Sequence, residues 1–150
     1  MGRFTAFRFT VDASPDQVAV LARHAGASRF AYNQSLRLVK DALLARAEDP
    51  SVDVPWSGFD LINGFNAWKV SAAAGRVLVA DPAGEVTVVA TGLGWRTQVC
   101  AQVFEETAVD LGRALDAYSA SRRGQRAGRR MRFPRFKRKG RDRGSFRIRQ

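Results

Sequence analysis

Apolar and polar residues alternate from Arg3 to Val11, with Phe7, Phe9 and Val11 on one side and Arg8 and Thr10 on the other. That is the pattern of a half-buried strand. Asp12 to Pro15 end it. Ser14, then Pro15, then Gln17 three residues on predict a capping box with proline in the first helical turn. Val18, Leu21, Ala22 and Ala25 recur at helical spacing, and Gly26 predicts the stop. A second helix is predicted from Ser28 to about Ala47, with Tyr32, Leu36, Val39 and Leu43 as its buried stripe. At about 100° per residue, Arg29, Asn33, Arg37 and Lys40 fall within roughly an 80° sector beside that stripe. Two helices about a glycine turn, the second bearing a polar sector, give a helix-turn-helix outline with a candidate DNA-reading helix. An ordinary packed helical hairpin with a solvated face has the same outline.

Further on, Glu48 to Ser57 reads as a loop, with Pro50 and Pro55. Trp56, Phe59, Leu61, Ile62, Phe65 and Trp68 crowd a short helical segment of core character. Two β-rich runs, Val77 to Val79 and Val86 to Val89, flank the turn residues Asp81-Pro82-Ala83-Gly84, which predicts a small hairpin near residues 76–90. The longest helix is expected from Trp95 to about Ser121, its apolar face formed by Val99, Val103, Phe104, Leu111, Ala114, Leu115 and Tyr118. Glu105, Glu106, Asp110 and Asp116 make its other side acidic, suited to solvent or to docking a basic segment. After a Gly/Arg linker from Gly124 to Gly128, Met131 to Phe136 and Ser145 to Arg149 read as short strands. The fold class is therefore α+β: a first strand (1–12), a helical lobe (13–121) and a basic return segment (122–150). No internal repeat is present.

Charge changes the picture most. From Ala120 to Gln150 there are 14 Lys or Arg and one acid, Asp142, so the formal net charge of +11 belongs to this one segment. Such a run needs a polyanion to neutralise it. Met131, Phe133, Phe136, Phe146 and Ile148 are interleaved with the cations, and Pro134 stiffens the backbone between two aromatics. Cations for phosphates with aromatics for packing or base stacking make a nucleic-acid contact surface. Its candidate residues are Arg130, Arg132, Arg135, Lys137, Arg138, Lys139, Arg141 and Arg143, beside Arg29, Asn33, Arg37 and Lys40 of the helix. The plain alternative is a disordered basic tail that aids solubility.

At 150 residues and 45% hydrophobic content, one compact domain with a core is expected. No run of eighteen apolar residues and no secretory h-region is present, so a cytoplasmic protein without a membrane partner is expected. Ala6 speaks against myristoylation of Gly2. The single cysteine, Cys100, excludes an internal disulfide or a multi-cysteine zinc site and is expected in the core. His24, the one histidine, is expected as a helix C-terminal dipole partner. Asp12, Asp16 and Asp41 read as cap or surface acids, and Glu105, Glu106 and Asp110 as solvated ones. There is no phosphate-binding GxxxxGK[ST] loop and no catalytic constellation, so no catalytic or metal-ligating residue is assigned.

Phe7-Arg8-Phe9, Ser14-Pro15-Asp16-Gln17 and the run Gly26-Ala27-Ser28-Arg29-Phe30-Ala31-Tyr32-Asn33-Gln34-Ser35-Leu36 resemble the N-terminus of the TnpB (OrfB) proteins of insertion sequences. Phe133-Pro134-Arg135-Phe136-Lys137 followed by Ser145-Phe146-Arg147 resembles that family's second landmark. The resemblance implies an RNA-guided DNA nuclease related to type V CRISPR effectors, with guide RNA and DNA as partners. It implies a split β-barrel with a helical recognition lobe inserted after the first strand, here an incomplete barrel. It places catalysis in a later RuvC-like domain with a metal-binding acidic triad and a four-cysteine zinc finger. The magnesium and zinc would lie there, with no cofactor in this chain. On that reading the chain is an excised N-terminal portion or the product of a truncated gene, inactive alone. Two other readings stand beside it: a helix-turn-helix DNA-binding protein such as a repressor of a mobile element, and a compact enzyme, which the absent constellation disfavours.

Overall fold

In the computed structural model, which describes residues 5–149, the capping box at Ser14 forms as its sequence requires. The Ser14 amide donates to Gln17 Oε1 at 2.9 Å, and the Gln17 amide donates back to Ser14 Oγ. The helix it starts, α1, spans Pro15–Glu48, 34 residues without a break. The expected stop at Gly26 is therefore corrected: Gly26 keeps helical backbone rather than the left-handed conformation a stop requires. A mid-helix glycine costs about 1 kcal/mol relative to alanine. The alanines around it are strong helix formers, and Ala27, Ser28, Ala31 and Tyr32 just beyond are buried, so the helix continues through it.

Helix α2, Gly58–Val70, starts from a second capping box, Ser57 with Asp60. The hairpin follows as expected. Strands β1 (Arg76–Ala80) and β2 (Val86–Thr91) pair antiparallel, with Val89 bulged because Leu78 pairs with Val88 and Val77 with Ala90. Asp81 Oδ1 accepts from the amides of Ala83 and Glu85, each at 2.9 Å, which sets the turn. At the hairpin base, Gly92 adopts φ 105° and donates to Gly75 O, while the Leu93 amide donates to Lys69 O at 2.7 Å.

Helix α3 spans Ala101–Arg122, shorter than α1 and starting later than expected. Residues Arg96–Gln98 form one 3-10 turn instead. Val99 is extended and buried there, and Trp95 packs edge-on against Phe30 at 5.2 Å. Cys100 consequently sits at the N-cap, exposed and outside the core, another correction.

The three helices enclose two adjoining apolar clusters. Tyr32, Leu36 and Val39 of α1 meet Leu61, Ala108, Leu111 and Leu115 in one. Ala27, Ala31, Phe65, Val99, Val103 and Phe104 form the other. Helices α2 and α3 thus cover only the middle of α1. Val18, Leu21 and Leu43, expected inward, are exposed, lying outside the stretch of α1 that α2 and α3 cover.

Three expected strands are not strands among the described residues. Thr5 to Val11, whose predicted neighbours Arg3 and Phe4 lie outside the described residues, is unpaired, with Phe9 81% exposed. Residues 131–136 and 145–149 are extended but irregular. A ladder needs a neighbouring backbone; here the Met131 and Lys137 amides donate to helix side chains, Ser121 Oγ and Asn33 Oδ1, instead. Among the described residues no helix is long and apolar enough to cross a membrane.

Candidate nucleic-acid interface

The basic segment is not a loose tail. Residues 129–149 run back over the helical body as a strap, fixed at successive points. Its apolar residues make the first attachments: Phe133 meets Tyr118 edge-on at 5.2 Å, and Phe133 and Phe136 both pack on the Tyr32–Leu36–Val39 cluster. The two phenylalanines therefore serve one core face, although opposite faces are expected of an extended segment.

The central attachment is Asn33. Its Nδ2 donates to Lys137 O at 2.9 Å and its Oδ1 accepts from the Lys137 amide at 2.7 Å, so one side chain satisfies a whole backbone unit 104 residues away. Asn33 thereby fixes the strap to α1. These bonds use one of the two N–H donors and one of the two oxygen lone pairs of the amide. On either side, Lys137 Nζ lies 4.2 Å from the centroid of the Tyr32 ring, and Lys40 Nζ lies 4.7 Å from that of Phe136. Such contacts hold the cation while its remaining donors stay available to solvent or phosphate. Burial, with the charges of Asp110 and Asp142, pushes the Tyr32 hydroxyl above its usual range.

Asp142 builds the next turn. Its carboxylate accepts from the Arg138 amide at 2.6 Å, and its own amide donates to Arg138 O at 2.9 Å. The Arg138 amide, then the neighbouring Arg141 and Arg135 charges, hold this carboxyl below its usual range. Arg135 lies 3.8 Å from it, and Arg141 also donates to Phe136 O. The strap's end is neutralised by α3: Arg147 pairs with Glu106 and Asp110, and Arg149 with Glu106. The acidic side of that helix thus docks the basic segment. His24 is a bridge rather than a helix-end residue: its Nδ1 donates to Val20 O, its Nε2 accepts from the Cys100 amide, and its ring lies 5.3 Å from Phe146.

These contacts sort the candidate residues. Lys40, Asn33 and Lys137 are brought together where the strap crosses α1, with exposed Arg37 between Asn33 and Lys40 on the helix. Arg135 and Arg141 face Asp142. Arg130, Arg132, Arg138, Lys139 and Arg143 are exposed, and among the described residues none of their side chains has an acid within 4.0 Å. Arg29 is half-buried on α1. The sequence separates the helix sector from the basic segment; the fold brings Asn33 and Lys40 of the first against Lys137 and Phe136 of the second. Phe30 and Gln34 of α1 line a cleft at this crossing, and no spacing signal marks them. Among the described residues no group of three His, Cys, Asp or Glu side chains converges.

Residues 1–47 match the helix-turn-helix domain model of OrfB proteins of the IS605 group. Two curated proteins of Mycobacterium tuberculosis, from strains CDC 1551/Oshkosh and ATCC 25618/H37Rv, are each 32% identical over 140 residues. Each bears the name of an RNA-guided DNA endonuclease. The alignment covers 91% of this chain and 27% of either relative. No solved structure matches.

Proposed function

We propose, from the premise that the chain belongs to the TnpB (OrfB) family of mobile-element proteins, that it holds guide RNA and target DNA for RNA-guided cleavage. The observation that carries the reading is the strap: a row of exposed cations fixed on a folded body beside Arg37 and Lys40 of α1. Phosphate contacts position a nucleic acid and give affinity without sequence choice. A rigid helix beside them supplies a fixed register. The chain spans 27% of the length of its curated relatives, and in this proposal cutting, with its magnesium and zinc, belongs to other parts of the family's architecture. The incomplete barrel belongs to the proposal too. The apolar side of Phe7, Phe9 and Val11 is a strand face that pairs once further strands are beside it.

Titration of a labelled structured RNA at several salt concentrations tests the reading. Neutralising five to eight phosphates makes log affinity fall with log salt at a slope of about −4 to −7. Replacing Arg132, Arg138, Lys139 and Arg143 by alanine flattens that slope for every nucleic acid alike. A slope near zero in the unaltered chain would overturn the proposal.

A further inference from the structure

A cleft of about 280 Å³ opens where the strap crosses α1, walled by Phe30, Asn33, Gln34, Arg37 and Phe136. Its walls are fixed. Phe30 is backed by Trp95 and Trp68, with centroids at 5.2 and 5.9 Å. Phe136 is held by its neighbour Lys137, whose backbone Asn33 grips from both sides. Two of its polar groups are free. Gln34 makes no side-chain hydrogen bond among the described residues, and exposed Arg37 has no acid within 4.0 Å there.

We propose that this cleft takes one unpaired nucleobase of the bound nucleic acid, an inference that rests on the nucleic-acid reading above. Two aromatic walls offer stacking surface to any base. The Gln34 amide offers a donor and an acceptor side by side, the complement of a base edge. Arg37 and Lys40 stand where the flanking phosphates pass. A duplex cannot enter so small an opening, whereas a splayed base of a loop, bulge or single strand can. In this assignment Phe30 and Phe136 bind the base and Gln34 sets which base is preferred.

The test uses the full chain and short single-stranded RNAs, intact or with one abasic site walked along the strand. The unaltered chain should lose about five- to a hundredfold in affinity when the abasic site reaches one particular position, the value of one base stack. At that position 2-aminopurine fluorescence should be quenched on binding. Gln34→Ala should level the preference among the four bases there while keeping the salt slope, and Phe30→Leu should remove the abasic penalty. The walk itself needs no variant, so a misfolded Phe30→Leu leaves the answer intact. If every abasic strand binds like the intact one while the salt slope persists, the cleft is no base site and the nucleic-acid reading stands. If no strand binds at all, both fall.

Discussion

Single residues decide how the strap lies. Asn33 contributes two hydrogen bonds to the backbone of one half-buried residue, Lys137, and Asn33→Ala leaves both backbone groups without protein partners. That should destabilise the chain by about 1–3 kcal/mol in urea denaturation. The Lys137 amide should also exchange with solvent faster. Asn33→Asp keeps an acceptor for the Lys137 amide but loses the donor to Lys137 O, so it should fall between the two; a loss equal to alanine's would argue against the paired bonds. Asp142 adds a pH dependence of known sign. Its carboxyl is held below the usual range, so the stability it contributes is complete above the ordinary aspartate range and is lost as pH falls through the lowered folded value. The Arg138 amide resonance should therefore shift with an inflection below that ordinary range, and Asp142→Asn should abolish it. An inflection at the ordinary value would sink the assignment.

Two glycines separate what an element needs from what it tolerates. A methyl added at Gly112 of α3 would lie 2.6 Å from the Gly58 amide nitrogen at the start of α2. Gly112→Ala should therefore cost about 1–3 kcal/mol as the two helices are forced apart. The same methyl at Gly26 meets nothing within 4 Å, in helical backbone. Gly26→Ala should stabilise by about 0.5–1 kcal/mol. Thermal unfolding of the pair checks both signs, and destabilisation by Gly26→Ala would restore the turn that the glycine suggests in sequence. This contrast shows what was legible beforehand. Ser14 with Gln17, and Asp81 with Gly84, act through bonds closed within four residues, and both came out of the sequence directly. The identity of Gly26 does not reveal that Ala27 to Val39 pack against another helix and carry α1 through it. Nor does alternation in Met131 to Phe136 reveal that helix side chains, not a strand, receive its backbone. The basic composition of the candidate site was legible, but Asn33's bonds to Lys137 and the cleft at Phe30 and Gln34 depend on contacts about a hundred residues apart.

Across the whole molecule, the balance of charge is partly internal. Glu106 is 9% exposed and faces both Arg147 and Arg149, so two of the strap's cations are neutralised by the body before any ligand arrives. Glu106→Gln should release Arg149 to phosphates, while Arg147 keeps Asp110, and steepen the salt slope by up to about one unit. Measuring the slope of this variant beside the unaltered chain checks it; an unchanged slope would mean that the pair never competes with nucleic acid. The 104-residue span between Asn33 and Lys137 also orders events in time. At about 5–20 residues per second of synthesis, Lys137 emerges roughly 5–20 s after its partner. Packing of local helices takes milliseconds or less. The body is complete once α3 ends at Arg122, 14 residues before Phe136, so it stands assembled for about 1–3 s with the Tyr32–Leu36–Val39 strip uncovered where Phe133 and Phe136 will lie. Translation itself makes the strap close after the helical body, and a nascent chain meets its surroundings first with that apolar strip and only afterwards with the strap's cations.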